Sequence, residues 1–352
     1  MSEPFLLYGA NGYTGELIAR AAVERGLQPI LAGRNAQAIS SLAHELDVEY
    51  RVFPLEDGAA TRAALSMAPL ILHCAGPFSA TAAPMLEACL RTGTHYLDIT
   101  GEIAVFEQLA ANDADARASG IMMLPGVGFD VVPSDCLAAH LKRRLPSANR
   151  LTLAIQSSGG VSHGTASTML EALEQNATGM IRRNGRLLPV PFAWKSREVN
   201  FGSGAKPCVS FPWGDVASAY YSTTIPNIEV YFAVSAWTML FFNAPRFTHW
   251  LLRRPSVQRY LRQRVAKAAA GPSPTEREQG SCHLWARVED SAGAAAESLL
   301  HTTDGYTLTV ESSLAIVERV LAGNFRTGFQ TPSTVFGSDL ILDIAGTSRK
   351  DL

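Results

Sequence analysis

Three glycines near the N-terminus, Gly9, Gly12 and Gly15, are spaced G-x-x-G-x-x-G between an apolar run, Phe5-Leu6-Leu7-Tyr8, and an amphipathic segment over 16–23. That arrangement suits anion binding. Glycine lets a chain turn sharply from strand into helix and brings backbone N–H groups up to a pyrophosphate with no Cβ in the way. The positive end of the helix then favours the negative charge. Strand, tight turn and helix in this order point to a dinucleotide-binding loop, with Gly9, Asn11, Gly12, Tyr13, Thr14 and Gly15 as its contacts. The next apolar run, 29–34, ends in Gly33-Arg34-Asn35. A site for a free ribose 2′-hydroxyl usually carries an acid at this tip, whereas an arginine can pair with a 2′-phosphate. No acid stands there, so the expected cofactor is NADP(H).

A nicotinamide cofactor supplies the hard chemistry, and the protein must add a held acceptor and, often, a proton donor. Asp130 and Glu102 each follow an apolar strand, and Tyr220, beside Tyr221 in a segment read as extended, offers a phenol. These are the catalytic candidates. Each has a plainer alternative: Asp130 opening the helix that Pro133 and Asp135 favour, Glu102 in the first turn of the next helix, and the tyrosines as packing. His163 reads as a surface or capping residue. No tyrosine has a lysine four positions later, so the pair used by short-chain dehydrogenases is missing. G-x-S-x-G, G-K-[ST] and H-E-x-x-H are missing too, and no cysteine–histidine grouping has zinc spacing, so no metal is expected.

The elements that must position these residues alternate. Strands are expected over 29–34, 50–53, 70–75, 95–99 and 121–124, with helices over 35–46, 82–91 and 105–119. That pattern means an α/β fold with a doubly wound parallel Rossmann sheet, which binds ligands at the carboxyl ends of its strands. The strand-end loops 9–15, 33–35, 75–78, 100–102 and 125–135 are therefore singled out. They add Gly33, Arg34, Asn35, Cys74, Ala75, Gly76, Pro77, Thr100 and Gly101 to the expected cofactor contacts. From 151 the pattern changes to a strand over 151–155, a helix over 164–177 and two hairpins. One turns at Asn184-Gly185 between 180–183 and 186–190, and the other joins 283–289 to 294–302. A helix over 306–321 closes at Gly323, and Thr331-Pro332 opens another. The expectation is an NADP-binding Rossmann domain over 1–148 and a second, α+β substrate or oligomerisation domain over 149–325. A C-terminal helix within 326–352 would return to the first domain.

The chain has 352 residues, 47% of them apolar and 18% charged, with a net charge of −2. This fits a soluble two-domain protein and argues against a nucleic-acid-binding surface. Five dispersed cysteines without a C-x-x-C pair, and no basic-then-apolar leader, fit reduced thiols in a cytoplasm. An apolar stretch over 230–242 is shorter than the roughly 20 residues a bilayer span needs. Seven basic residues follow between 246 and 267 with no acid among them. A buried strand and helix at a core or homo-oligomer interface is favoured. Peripheral contact with anionic lipid, or docking of an acidic carrier protein, stays open beside it.

Taken together, the glycine loop, Ala32-Gly33-Arg34, Cys74-Ala75-Gly76-Pro77-Phe78, Tyr96-x-Asp98-x-Thr100-Gly101-Glu102 and 125–135 resemble the saccharopine dehydrogenase-like family. Gly159-Gly160 with Gly164-Thr165, 222–227 and Gly328-Phe329-x-Thr331-Pro332 extend the resemblance over nearly the whole chain. It is nearer the trans-acting enoyl reductase branch than the lysine-pathway enzymes. The resemblance implies an NADPH-dependent oxidoreductase that reduces the activated C=C bond of an enoyl thioester, small or carried on a larger partner. Imine reduction of the saccharopine type would call for carboxylate-binding arginines, for which Arg182, Arg183 and Arg197 are available. A non-catalytic NADP-binding scaffold is the third reading.

Overall fold

The structure is a computed structural model that describes residues 3–158, 178–235 and 271–352. The helix expected over 164–177, His163, the Gly159-Gly160 and Gly164-Thr165 motifs and the basic stretch 246–267 lie outside the described residues.

In chain order the elements begin β1 (Pro4–Tyr8), α1 (Tyr13–Glu24), β2 (Gln28–Gly33), α2 (Ala36–Leu46), β3 (Tyr50–Val52), α3 (Gly58–Leu65) and β4 (Leu70–His73). They continue α4 (Phe78–Thr92), β5 (His95–Asp98), α5 (Ile103–Ala111), α6 (Asp113–Ala118), β6 (Met122–Leu124) and α7 (Val132–Arg144). Next come β7 (Arg150–Ser157), β8 (Thr178–Arg183), β9 (Arg186–Pro191), β10 (Ser196–Asn200), β11 (Ala205–Ser210), α8 (Asp215–Thr223) and β12 (Asn227–Ala233). The chain ends with α9 (Pro274–Gln279), β13 (Ser281–Glu289), β14 (Ala295–Thr303), α10 (Gly305–Leu321), β15 (Gly328–Phe329), α11 (Pro332–Phe336), a 3-10 turn (Leu340–Asp343) and β16 (Ser348–Asp351).

Two compact units divide the chain, Met1–Ala139 with Tyr306–Ile344, and His140–Gly305 with Ala345–Leu352. The first is built on a seven-stranded sheet in the order β15-β6-β5-β4-β1-β2-β3. Its pairings are all parallel. Helices cover both faces of such a sheet, so its central strands are apolar throughout rather than alternating. Phe5, Leu6 and Leu7 of β1 and Leu70, Ile71 and Leu72 of β4 are fully buried. Each such apolar side chain contributes about 1.5–3 kcal/mol by leaving water. The strand order reverses between β1 and β4, the point at which doubly wound sheets open a crevice for a ligand.

The second unit has a nine-stranded, mainly antiparallel sheet, β10-β11-β12-β7-β13-β14-β16, with β8 paired to β12 and to β9. Among the described residues, β12 and β7 are the pair that runs parallel within it. Ala154, Val199, Phe201, Cys208, Tyr231 and Trp285 form an apolar cluster there. Both expected hairpins are present, β8–β9 turning at Asn184-Gly185 and β13–β14 at 290–294. Among the described residues no helix is long and apolar enough to cross a membrane.

Four expectations are corrected. The helix over 105–119 is two helices, α5 and α6, broken at Asn112, whose side chain donates to the Gln108 carbonyl at 2.8 Å. Tyr220 and Tyr221 lie on helix α8, not on an extended segment. Helix α10 is expected in the second domain, but Tyr306 onward clusters with the first unit. Its Ser312 donates to the Val127 carbonyl at 2.7 Å, and its buried Leu308, Leu314, Ile316 and Val317 need an apolar partner surface. Finally, 326–352 is no single helix. The five residues of α11 end at Gly337, whose φ of 83° suits glycine, and the tail finishes as β16, paired with β14.

Candidate active site

The glycine loop leaves β1 at Tyr8. The N–H groups of Gly9 and Ala10 both donate to the Ala32 carbonyl, at 2.8 and 3.2 Å, and that of Gly12 donates to the Gly9 carbonyl at 3.0 Å. Gly9 has φ +86°, and a Cβ on it would sit 2.7 Å from the Ala75 nitrogen, so this loop packs directly on the loop after β4. A Cβ on Gly15 would fall 2.2 Å from the Gly9 carbonyl oxygen, which is why α1 can start so close to the strand end. Gly12 differs: a Cβ there would meet only the Gly9 oxygen, at 3.3 Å, so its outer side is open. No side chain caps the N-terminus of α1 among the described residues, and Asn11 and Gly12 are exposed. An uncapped helix start behind an open glycine turn fits a dinucleotide pyrophosphate.

At the end of β2 the Asn11 side chain lies against Gly33, with Oδ1 at 3.0 Å from where a Cβ would be. Arg34 follows, exposed, and Asn35 caps α2 by accepting from the Ala38 N–H at 3.1 Å. Burial raises the phenol of Tyr8 to about 12, and the Arg34 charge offsets part of that rise. A guanidinium held in water at this tip fits a 2′-phosphate.

The third wall is the loop after β4. Thr81 Oγ1 donates to the Ala75 carbonyl at 2.7 Å, and His73 Nε2 donates to Thr81 Oγ1 at 2.9 Å. Burial pushes the fully buried His73 imidazole down to about 3, so it is neutral and structural. The Cys74 thiol is pushed up by burial, with Asp98 adding to the shift, and supplies no nucleophile at neutral pH. The Gly76-Pro77 peptide is cis and leads into α4.

Glu102 does something its sequence position did not reveal. Its Oε1 accepts from the Phe78 N–H and its Oε2 from the Ser79 N–H, both at 2.8 Å, so it caps α4 from the loop after β5. Behind it lies Asp98, a member of the Tyr96-x-Asp98-x-Thr100-Gly101-Glu102 motif. This fully buried carboxyl accepts from the Tyr96 hydroxyl at 2.6 Å and from the N–H groups of Thr100 and Gly126, each at 2.9 Å. Burial raises it to about 6 against the opposing pull of those donors. Thr100 Oγ1 in turn accepts from the Glu102 N–H at 3.0 Å. One continuous hydrogen-bonded chain thus ties the loops after β4, β5 and β6 through Glu102, Thr100, Asp98 and Gly126.

Asp130 sits in the turn before α7, half-buried, and a Cβ on Gly101 would lie 2.8 Å from its Oδ2. Burial raises its carboxyl to about 7. The structure therefore brings Asp130 and Glu102 to the same strand-end edge as the residues expected to contact the cofactor. Tyr220 belongs to the second unit, where the Arg182 guanidinium lies 4.3 Å over its ring. A shallow hollow of about 290 Å³ in the first unit is lined by 65–69 and 92–94. These residues precede β4 and β5, at the edge of the sheet opposite the glycine loop.

Residues 5–124 match the family model of the saccharopine dehydrogenase NADP binding domain. Those residues, about a third of the chain, are similar to that domain. NADP is the dinucleotide that this match indicates. A trans-acting enoyl reductase of Mycobacterium leprae is 32% identical over 148 residues, which is 40% of this chain and 35% of that protein. A Mycobacterium tuberculosis protein, named provisionally as a trans-acting enoyl reductase, is 28% identical over 266 residues, 72% of this chain and 60% of that one. The chain thus spans between about a third and three-fifths of these relatives. Apo saccharopine dehydrogenase (L-Glu forming) of Saccharomyces cerevisiae superposes with a TM-score of 0.65 at 11% identity. The superposition covers 99% of this chain and 100% of that one, and shows a shared fold.

Proposed function

We propose that this saccharopine dehydrogenase-like protein is an NADPH-dependent oxidoreductase that reduces the activated C=C bond of an enoyl thioester presented on a carrier partner. The carrying observation is the glycine cradle with exposed Arg34 at the tip of β2, in a chain whose mycobacterial relatives bear the enoyl reductase name. NADPH, when bound, supplies a hydride. Gly9, Asn11, Gly12, Tyr13, Thr14 and Gly15 would hold its pyrophosphate, and Gly33, Arg34 and Asn35 its phosphorylated ribose. Cys74–Pro77, Thr100 and Gly101 would border its nicotinamide half. The second unit is assigned to substrate or subunit contacts.

Imine reduction is less well supplied. Arg182 donates to the Val216 and Gly185 carbonyls, Arg183 pairs with Glu229 at 3.2 Å, and Arg197 lies over the rings of Tyr231 and Trp285. The three arginines that could clamp carboxylates are already engaged.

NADPH oxidation by purified protein, measured with enoyl thioesters of rising chain length and separately with oxo acids plus amino acids, decides between these reactions. Turnover only on the second set would replace the enoyl reading, and tight NADPH binding without any turnover would leave a scaffold. For the cofactor, Arg34→Ala should weaken NADPH about tenfold or more while NADH changes by less than about twofold, read by fluorescence titration. Equal losses for both would remove the 2′-phosphate assignment.

A further inference from the structure

Reduction of a conjugated C=C bond needs two partners for the substrate, a hydride at the β carbon and a proton at the α carbon. The strand-end edge of the first unit holds several ionisable side chains, and their surroundings separate them. Glu102 has both carboxylate oxygens engaged by the N–H groups of Phe78 and Ser79. Asp98 is fully buried beneath the loops, holding Tyr96, Thr100 and Gly126. His73 is fully buried and neutral, and Cys74 is held as the thiol. Asp130, half-buried in the turn after β6, lies against the 100–102 loop where Gly101 faces its carboxyl, whereas Glu102, half-buried as well, has its carboxylate on the start of α4.

Its backbone is fixed for that task. The Phe129 N–H donates to Thr309 Oγ1 on α10 at 3.0 Å, and the Val131 and Val132 N–H groups close on the Gly128 carbonyl at 3.2 and 2.9 Å. Gly101 leaves room for the carboxyl, since a Cβ there would press on Oδ2 at 2.8 Å. In a doubly wound sheet the half built on β4, β5 and β6 is the one that takes the nicotinamide mononucleotide. The turn carrying Asp130 follows the last of these strands.

We propose that Asp130 is the acid that protonates the α carbon, and that Glu102 is a positioning residue that fixes the neighbouring α4 start. The proposal rests on the enoyl reading. Hydride brings its electron pair to the β carbon, the π pair of the C=C bond moves onto the α carbon and thioester oxygen as an enolate, and the Asp130 O–H proton passes to the α carbon. Asp130 is left as a carboxylate and regains a proton from water before the next turnover. Burial keeps the carboxyl protonated up to about pH 7, so an acid is present when the enolate forms.

The test compares wild type with Asp130→Asn and Asp130→Glu using NADPH deuterated at nicotinamide C4 and, separately, D2O as solvent. Wild type should place the cofactor deuterium on the β carbon and one solvent deuterium on the α carbon in a single configuration. Asp130→Asn should lower kcat about 100-fold or more, hold the NADPH Kd within about twofold and scramble the α configuration. Asp130→Glu, which keeps an acid, should recover part of kcat and the single configuration. A variant without an acid that retains the wild-type rate and configuration overturns the assignment. Absence of label at the β carbon in wild type instead overturns the enoyl reading beneath it. Independently of turnover, infrared spectra of the cofactor-free protein should show a carboxyl C=O band fading with a midpoint of about 7 and missing from Asp130→Asn. Complete loss of that band below about pH 5 would count against Asp130.

Discussion

At the scale of single residues, three acids within one edge have been given three different environments, and their chemistry follows from those environments rather than from their type. Asp98 is a tie: one carboxyl satisfies a buried phenol and two backbone N–H groups. Asp98→Ala strands all three donors and should cost about 3–5 kcal/mol, visible as a drop in urea midpoint. A loss below about 1 kcal/mol would mean that water replaces the carboxyl. The glycines were legible because their spacing is dictated by close approach: Gly9 and Gly15 each stand where a Cβ would strike backbone. Asp98 was less legible. A polar residue ending an apolar strand signals a buried partner, but the partner at Gly126 is 28 positions away and leaves no trace in local pattern.

At the scale of elements, α4 shows how a helix start can be completed from another part of the chain. Pro77 precedes it without a capping side chain of its own, and Glu102 supplies both acceptors. Glu102→Ala should destabilise the protein by about 1–2 kcal/mol, and Glu102→Gln, which keeps one acceptor, should recover roughly half. Equal loss in both variants would point to charge at the helix start rather than hydrogen bonding. The parallel strands were readable since burial on both faces makes them continuous apolar runs. Helix α8 was not, because Ala-Ser-Ala-Tyr-Tyr-Ser-Thr-Thr has no apolar stripe of helical period; Val216, Ala217, Ser218 and Ala219 are all buried. Strands β10 and β11 escaped for a related reason: they are short, β10 is largely exposed at one end of the sheet, and β11 is buried only over Cys208–Ser210.

At the scale of the whole molecule, the raised carboxyl of Asp130 links function to stability. At pH 3 it is protonated whether the chain is folded or not. As pH rises from about 4 to 7 the unfolded chain releases this proton while the folded protein retains it, so folding stability falls across that window and levels off above it. Asp130→Asn lacks this liability. Its stability advantage over wild type should grow by about 1–3 kcal/mol between pH 4 and 7.5, measured by denaturant titration at each pH. A difference independent of pH would show that the carboxyl titrates near its ordinary value in the fold. Such a variant, more stable and less active, is the expected signature of a group retained for chemistry.

The path of the backbone has its own consequence. It passes from one unit to the other near 139, 305 and 344, and the last strand, β16, is a member of the second unit's sheet. No single peptide-bond cleavage can therefore release either unit intact. A nick at 305 would yield two fragments that each own pieces of both, joined only by sheet pairing and packed side chains. Modular exchange is constrained in the same way: to replace the second unit by that of another protein, a recombination event must transplant an internal cassette and the terminal strand together, or leave β14 with an open edge.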